Sequence, residues 1–562
     1  MTVTVAERTD LWPERVPRNL DYPAVPVGAL FAGIARRFAD RVAVQDGEEQ
    51  LTYAELLAEA SAFAQALRAD GVREGETVLL HLPNCRWIVV GYWGAMLAGA
   101  TVSPCNPLHT VSGLRSQIED SRAVVVLSHP DHVSTVLEAG AGSTVRRVVV
   151  VPGTTAAPVT AEVPDAEGVT RIADFVAGHP AEPPVLSVTS GDVAHLAFTG
   201  GTTGRSKAVR VLHRNVIANI CQSVAWRTGR TVAMREGRYE LDPIGREDCG
   251  LPEGRGVSIV VGPMYHAQAL LNTSFMLASG ARVIIMGRFS PDRLLQMIEA
   301  ERATYLSASP TLCHALVASP EGQRLDLSSL QVLTSGAAPI DLETMKGLSK
   351  LFPSAVVCEG YGLTEGTCVV TSGPAYRDGA RKLGSVGFPL PDVTVEIRSE
   401  DGAVLPAGEH GELWVKGPQV TDGYAGHPEL TAEQFVDGWL RTGDIGYFDE
   451  DGFLFISDRL KDMLIYKGYN VYPRELEELL VQHPAITAAA VVGREDAAVG
   501  QLPIAFVVAA PGAQPDPDEV QAYVAERVLP YKKLREVHVI QALPANAAGK
   551  ILKTDLRARA NN

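Results

Sequence analysis

Leu196-Ala-Phe-Thr-Gly-Gly-Thr-Thr-Gly-Arg-Ser-Lys207 is the stretch from which the fold can be read. An apolar run ends in a loop with three glycines (Gly200, Gly201, Gly204), the hydroxyls of Thr199, Thr202, Thr203 and Ser206, and the cation of Lys207. Glycines let a backbone turn tightly and approach a ligand, N–H groups and hydroxyls donate to oxyanions, and a lysine adds a point charge. The combination makes a polyphosphate cradle. It is not the common P-loop, which needs Gly-Lys-Ser/Thr in succession, because Ser206 precedes Lys207 and Ala208 follows it. A Gly/Thr surface loop has the same composition, so the surroundings must decide.

Those surroundings alternate strand and helix. Segments 29–37 and 53–69 carry apolar residues at three- and four-residue spacing, and Thr52 with Glu55 three residues on is a capping-box signature. Segments 77–82 and 123–127 read as short buried strands. Between them, 87–102 is the longest apolar stretch; it is short for a membrane span and holds Gly91, Gly94 and Gly99, which points to a buried helix running into a strand. Segment 155–192 reads as a long surface connection to the cradle, and the polar, Gly- and Arg/Glu-rich 230–256 as an exposed excursion. Alternation then resumes with strand 257–261, helix 267–278, strand 281–286, helix 291–302 and strand 305–307. Strands 330–334 and 355–358 each run into a glycine-containing loop. In doubly wound sheets ligands sit beyond the carboxyl ends of strands, so these loops are expected to line one crevice.

From residue 393 short strands with turns at Asp401-Gly402 and Asp451-Gly452 suggest a small antiparallel, barrel-like subdomain. The tail reads as helix 473–482, strands 488–492 and 504–509, helix 518–528 and strand 537–541, a compact α+β unit of ordinary domain size. The expected fold is α/β: a large N-terminal domain (1–458) of parallel and mixed sheets with helices, including the subdomain at 393–458, and a small C-terminal domain (459–562).

Composition narrows the function classes. At 562 residues the chain exceeds one hydrophobic core. Fifty Lys plus Arg against 66 Asp plus Glu leave a net charge of -16, which argues against a nucleic-acid partner and requires locally placed cations for any anionic ligand. Seven scattered cysteines with no C-x-x-C pair argue against a disulfide framework or zinc site and fit a reducing cytoplasm. Residues 1–18 mix charges of both signs without an apolar centre, unlike a signal peptide.

Read together, several loops resemble the adenylate-forming superfamily of acyl-CoA synthetases, luciferases and peptide-synthetase adenylation domains. The cradle resembles its phosphate loop, Pro263-Met-Tyr-His266 its aromatic/histidine segment and Ser335-Gly-Ala-Ala-Pro339 its adenine-side loop. Tyr361-Gly-Leu-Thr-Glu365 resembles its nucleotide and magnesium motif, Gly438-Trp-Leu-Arg-Thr-Gly-Asp444 its ribose motif, Asp458-Arg-Leu-Lys461 its hinge, and Gly549-Lys550 its catalytic-lysine loop. The seven matches follow the family's order along nearly the whole chain. They depart from it at Ser206 and Ala208, where proline and glycine are usual, and in the length of 230–256.

The resemblance implies a two-step reaction. A carboxylate attacks the α-phosphate of ATP, releasing pyrophosphate, and a thiol then displaces AMP from the acyl-adenylate. Carboxylate and triphosphate repel, and charge builds on the α-phosphate, so cations and donors must be aimed there. By resemblance these are Lys550, Thr364 and Lys207, with His266 on the carboxylate side and Mg²⁺ at Glu365 and Thr202. The nucleotide falls to Thr199, Gly200, Gly201, Thr202, Thr203, Gly204, Gly336, Ala337, Ala338, Glu359, Gly360, Tyr361 and Gly362. Asp444 is the right type to accept the ribose hydroxyls, with Arg459 beside it. The small domain is expected to rotate about Lys461, bringing the loop with Gly468 to the CoA arm in the second step.

The acid is expected among Tyr265, His266, Gln268, Ala337, Gly360, Gly362 and Cys368. Gln268 favours an aromatic or polar-substituted acid, while similarity to long-chain and 4-coumarate-type ligases keeps a fatty acid open. CoA is the expected acceptor; the alternative keeps adenylation but loads a carrier protein, or activates nitrite to diazotise an aromatic amine. A non-enzymatic nucleotide binder fits poorly with both Lys550 and Glu365 present. A monomer or homodimer without nucleic-acid or membrane partners completes the expectation.

Overall fold

Runs of Val, Ile and Leu between helices fold here into two large sheets. The computed structural model describes residues 11–199, 206–246, 249–496, 498–545 and 551–561. The first sheet has seven strands, in the order Val169–Arg171, Arg147–Val150, Ala123–Ser128, Thr77–His81, Thr101–Cys105, β1 (Val193–Phe198) and β2 (Ala208–Leu212). All its pairings are parallel except β1 with β2, an antiparallel hairpin whose tip is the cradle. Gly200, Gly201, Thr202, Thr203 and Gly204 lie outside the described residues, but the mouth of their loop is closed by Thr199 N–H donating to Lys207 O at 3.0 Å. Helix α1 (His213–Arg227) follows and is buried at every residue but Arg214.

The second sheet has nine strands. Its central five are β3 (Val257–Val260), followed in the chain by α2 (Ala267–Ala278), then Arg282–Ile285, β4 (Tyr305–Ala308), β5 (Val332–Ser335) and β6 (Val356–Tyr361), all parallel. β7 (Thr371–Ser372) and Phe388–Pro389 continue the β6 edge antiparallel, setting Ser372 opposite Gly360. Parallel order here puts the carboxyl ends of β3 to β6 side by side.

Beyond the two sheets, Thr394–Arg398, Gly411–Lys416, Phe435–Val436, β8 (Trp439–Phe448) and β9 (Leu454–Arg459) form the antiparallel five-stranded sheet expected from 393 onward. The tail builds a separate five-stranded sheet with its own apolar cluster, flanked by α3 (Pro473–Leu480) and Pro517–Ala525. The chain thus has a large N-terminal α/β domain and a small C-terminal one.

The core lies where the stretch at 87–102 predicted it. Helix Arg86–Ala98 is buried from Trp87 to Ala98, ends at Gly99 in the left-handed conformation (φ 75°) and feeds Thr101–Cys105. Trp93 stacks on Phe31 at 4.4 Å. Thr52 and Glu55 form the reciprocal capping box that starts Tyr53–Ala69. None of the seven cysteines is held in a disulfide, and only Cys249 is not fully buried. Burial pushes the thiols of Cys85, Cys221 and Cys313 up to about 12. Among the described residues no helix is long and apolar enough to cross a membrane.

Two expectations need correction. Segment 230–256 is not an exposed excursion: Arg230–Arg235 and Arg238–Pro243 form a hairpin that sets Val232 opposite Leu241, and Val232, Tyr239 and Leu241 are buried. The Tyr239 hydroxyl donates to Ala278 O at 2.6 Å, docking the hairpin on the end of α2. An apolar residue at alternate positions suffices to bury one face of a ribbon, and the charges on the other face mask that pattern. Segment 155–192 is mostly irregular, yet Val169–Arg171 adds an edge strand and Phe175 packs on Phe63 at 6.0 Å.

Candidate active site

The carboxyl ends of β3 to β6 open into a cavity of about 830 Å³, bounded by α2 on one side and by β8 and β9 on another. Thr199 and Lys207 reach it from the β1–β2 hairpin, and His266 and Gln268 from the start of α2. Gly336 and Ala337 follow β5; Ala337 holds φ +70°, a left-handed conformation uncommon for a non-glycine residue. From β6 and its loop come Gly360, Tyr361, Gly362, Thr364, Glu365 and Cys368. Gly362 is required by space: a Cβ there would lie 1.6 Å from Cys368 O. Asp444, Arg459 and Lys461 complete the wall.

At one end, register does the positioning. Asp444 on β8 pairs directly with Arg459 on β9, placing Arg459 Nε 3.5 Å from Asp444 Oδ1. The Tyr361 hydroxyl donates to Asp444 Oδ2 at 2.6 Å. Burial, then the Asp444 charge, push the Tyr361 phenol far up, so it stays a donor. A carboxylate held from two sides at a cavity wall is a fixed acceptor for a diol.

On the opposite side of the Tyr361–Glu365 loop, Tyr424 sits beside β2 through the Val209–Tyr424 bridge, with Lys207 Nζ 5.1 Å from its ring centre. Its hydroxyl lies 2.7 Å from Glu365 Oε1 and 2.8 Å from Gln434 Oε1, while Gln434 Nε2 donates to Arg441 O at 3.0 Å. One phenolic proton cannot serve both oxygens. Glu365 makes no ion pair among the described residues, so the pair of acceptors has one donor too few. A carboxylate with spare acceptor capacity beside a phosphate loop fits a divalent cation, which takes one or two carboxylates plus phosphate oxygens.

Burial pushes the His266 imidazole down, keeping it neutral near pH 7 at the cavity wall, 4.6 Å from the ring of Tyr265. Burial first, then the charges of Arg459 and Arg557, lower the Lys461 ammonium. Cys368 is pushed up to about 12 by burial.

Four expected residues are not brought to the cavity. Tyr265 and Ala338 do not line it, although their neighbours His266 and Ala337 do. Glu359 is buried at 4% exposure, lines a separate cavity of about 400 Å³ and is pushed up to about 7 by that burial. Gly468 forms the tip of the hairpin Leu464–Tyr466 to Tyr469–Val471, with φ +81° and open space around it. Lys550 lies outside the described residues; Ala545 and Ile551, either side of it, form an antiparallel bridge. The sequence reading missed Arg227, Asn272, Ser307, Tyr424 and Gln434, all of which line the cavity. Helix α1, buried all round, has no amphipathic stripe to reveal Arg227.

The profile described as AMP-binding enzyme matches residues 31–425, and that of the AMP-binding enzyme C-terminal domain matches 475–550. The chain belongs to the AMP-binding enzymes. Within this adenylate-forming superfamily its relatives are acyl-CoA synthetase-like. It is 37% identical to 4-coumarate–CoA ligase-like 6 of Oryza sativa subsp. japonica, over 86% of this chain and 78% of that one. It is 33% identical to the long-chain-fatty-acid–CoA ligase of Bacillus subtilis (strain 168), over 97% and 96%. Among solved structures it resembles amide bond synthetase McbA from Marinactinospora thermotolerans, with 28% identity and a TM-score of 0.79 over 95% and 100% of the two chains. An AMP-binding enzyme of this kind uses ATP to activate a small acid.

Proposed function

We propose that this AMP-binding enzyme joins a carboxylic acid to CoA through an acyl-adenylate. The observation that carries the reading is the single cavity with two unlike ends: the held carboxylate of Asp444 with Arg459 at one, and an amide- and hydroxyl-lined recess along α2 at the other. Two CoA-ligase relatives that align over most of the chain support the acceptor.

Asp444 accepts the ribose hydroxyls and Arg459 donates beside them. Tyr361 lines the sugar end with a ring held in place by its own hydrogen bond, Gly336 and Ala337 leave the adenine side open, and Gly360 and Gly362 let backbone approach the ligand. Lys207, Thr364 and the cradle from Thr199 to Gly204 direct cation and donors at the phosphates. Mg²⁺ would be held by Glu365 with Thr202, and when bound supplies charge neutralisation at the phosphate oxygens. The acid carboxylate, beside neutral His266, attacks the α-phosphorus; the bond to the bridging oxygen breaks and pyrophosphate leaves. Lys550 from the C-terminal domain places its ammonium at the same phosphorus.

In the second step the CoA sulfur attacks the acyl carbonyl and AMP departs with its electron pair. We assign the N-terminal unit to 1–458 and the rotating unit to 459–562, hinged at Lys461. The open space around Gly468 supports its hairpin as the part that meets the CoA arm after rotation.

The test is pyrophosphate release across a panel of acids with and without CoA, with products identified by mass spectrometry. Acid-dependent release and a CoA thioester are expected. CoA-independent turnover that loads a carrier protein, or that needs nitrite and an aryl amine, overturns CoA as acceptor.

A further inference from the structure

The recess contains a cation that the reaction above does not use. Arg227 ends α1, is 3% exposed and lines the cavity. Its Nη2 donates to Ser372 Oγ at 3.3 Å and its charge also faces the buried Tyr305 hydroxyl, while Nε and Nη1 meet no acceptor in good hydrogen-bond geometry, and it makes no ion pair among the described residues. Its guanidinium lies 5.4 Å from the ring centre of the buried Phe275. A buried charge left without a counter-charge is a strongly destabilising arrangement, so one is kept only where something completes it.

Arg227 lies deep. Its charge acts on the thiols of Cys358 and Cys368, and its hydrogen bond is to Ser372, opposite Gly360. Cys358 is three residues before Tyr361, roughly 10 Å back along β6 from the residue that holds Asp444. The neighbouring groups are rich in donors. Ser307 Oγ accepts from Asn272 Nδ2 at 2.9 Å and Gln268 Nε2 at 3.4 Å, leaving its own proton to give. The carboxylates that line the cavity are Glu365 and Asp444, both at the nucleotide side.

We propose that Arg227 and Ser307 form a carboxylate-binding subsite at the blind end of the acid pocket, so that the molecule activated is a dicarboxylic acid. One carboxyl group goes to the α-phosphate and the other, remote one is held by Arg227. A single guanidinium among neutral donors matches one negative charge, which selects a carboxylate over a phosphate, and the planar fork suits it. Gln268 and Asn272, one helical turn apart, orient Ser307. This rests on the acid-activation reading and narrows it to a substrate class.

The experiment compares aliphatic diacids from succinate to suberate, and isophthalate and terephthalate, each with the monoacid of the same skeleton. Wild type, Arg227→Met and Arg227→Lys are assayed by pyrophosphate release, with binding measured by calorimetry. At least one diacid is expected to exceed its monoacid in kcat/KM by ~10² or more in wild type. Arg227→Met should invert that preference while melting no lower than wild type, and Arg227→Lys should restore part of it. Monoacid preference in wild type, or diacid preference surviving in Arg227→Met, overturns the subsite. If no acid releases pyrophosphate, diacid binding lost in Arg227→Met upholds the subsite and counts against acid activation. Absence of diacid binding to wild type overturns the subsite.

Discussion

Asp444→Asn isolates the contact with the sugar. The carboxylate already takes the Tyr361 hydroxyl at 2.6 Å on Oδ2 and faces Arg459 at 3.5 Å on Oδ1. An amide keeps one acceptor and turns the other atom into a donor, so one hydrogen bond to a charged acceptor is lost and the second becomes neutral. A hydrogen bond to a charged group contributes about 1.5–3 kcal/mol and its neutral counterpart about half. The combined loss is about 3 kcal/mol, or roughly 10² in affinity. Sugar contacts are far from the bonds that change, so the loss should enter KM for ATP and leave kcat nearly intact. Stability should change little, because the Arg459 side chain is 41% exposed and is solvated once its partner is neutral. The assay is pyrophosphate release with ATP, 2′-deoxy-ATP and 3′-deoxy-ATP on both proteins. Wild type should lose affinity with each deoxy analogue and Asp444→Asn should lose much less. Equal penalties in the two proteins would show that Asp444 does not touch the ribose and would refute the reasoning.

Lys550→Ala is expected to cut adenylate formation by ~10² to 10³, the scale for one lost transition-state donor, while preformed acyl-adenylate still reacts with CoA; equal damage to both half-reactions contradicts the two-orientation scheme. Gly362→Ala forces a Cβ to 1.6 Å from Cys368 O and 3.0 Å from Val369 Cα, both backbone, so it should cost about 3 kcal/mol or more of stability by denaturant titration, whereas Gly468→Ala, with no neighbour within 4 Å, should lose only about 1–2 kcal/mol, from holding alanine at φ +81°. Buried His81 and His195 are held down to about 3 and His213 to about 4, in each case chiefly by burial. Each therefore favours folding above the ordinary imidazole value of ~6.5, and that stability is lost as pH falls toward the folded value, because the unfolded chain takes up the proton first. At pH 5 this costs about 2 kcal/mol per histidine, offset by about 2 kcal/mol from Glu359, whose raised value of about 7 works in the opposite sense. A net fall of about 4 kcal/mol between pH 7 and pH 5 should appear in urea midpoints; an unchanged or rising midpoint contradicts it.

Much of the architecture was legible because it is local. Helix Ala267–Ala278 was read to the residue, Thr52 and Glu55 announced Tyr53–Ala69, and the turn at Asp451-Gly452 marked the antiparallel sheet. The loops that bend to a ligand carry their glycines openly. What stayed hidden depends on facing, which tertiary packing decides. Glu359 and Tyr361 are two apart on one strand, yet only Tyr361 lines the cavity: Glu359 pairs with Ser335 of β5, whereas Tyr361, the last residue of β6, pairs with Thr371 of β7. Tyr265 and His266 are adjacent and only the histidine lines it. Val232 and Leu241 become a buried pair only once the hairpin folds, and Arg227 becomes a site residue only because α1 is enclosed on all sides.

The cysteines have a practical consequence. Their burial and raised values keep Cys85, Cys221, Cys313, Cys358 and Cys368 protonated near neutrality, when only a thiolate is alkylated readily. With the incompletely buried Cys249 replaced (Cys249→Ser), a maleimide fluorophore pair on Val185→Cys and Leu529→Cys, replacing residues 87% and 56% exposed, can therefore be attached in the presence of the remaining buried thiols. Energy transfer between the dyes then tests the proposed rotation: a change on adding ATP, acid and CoA supports it, and a constant signal through turnover contradicts it.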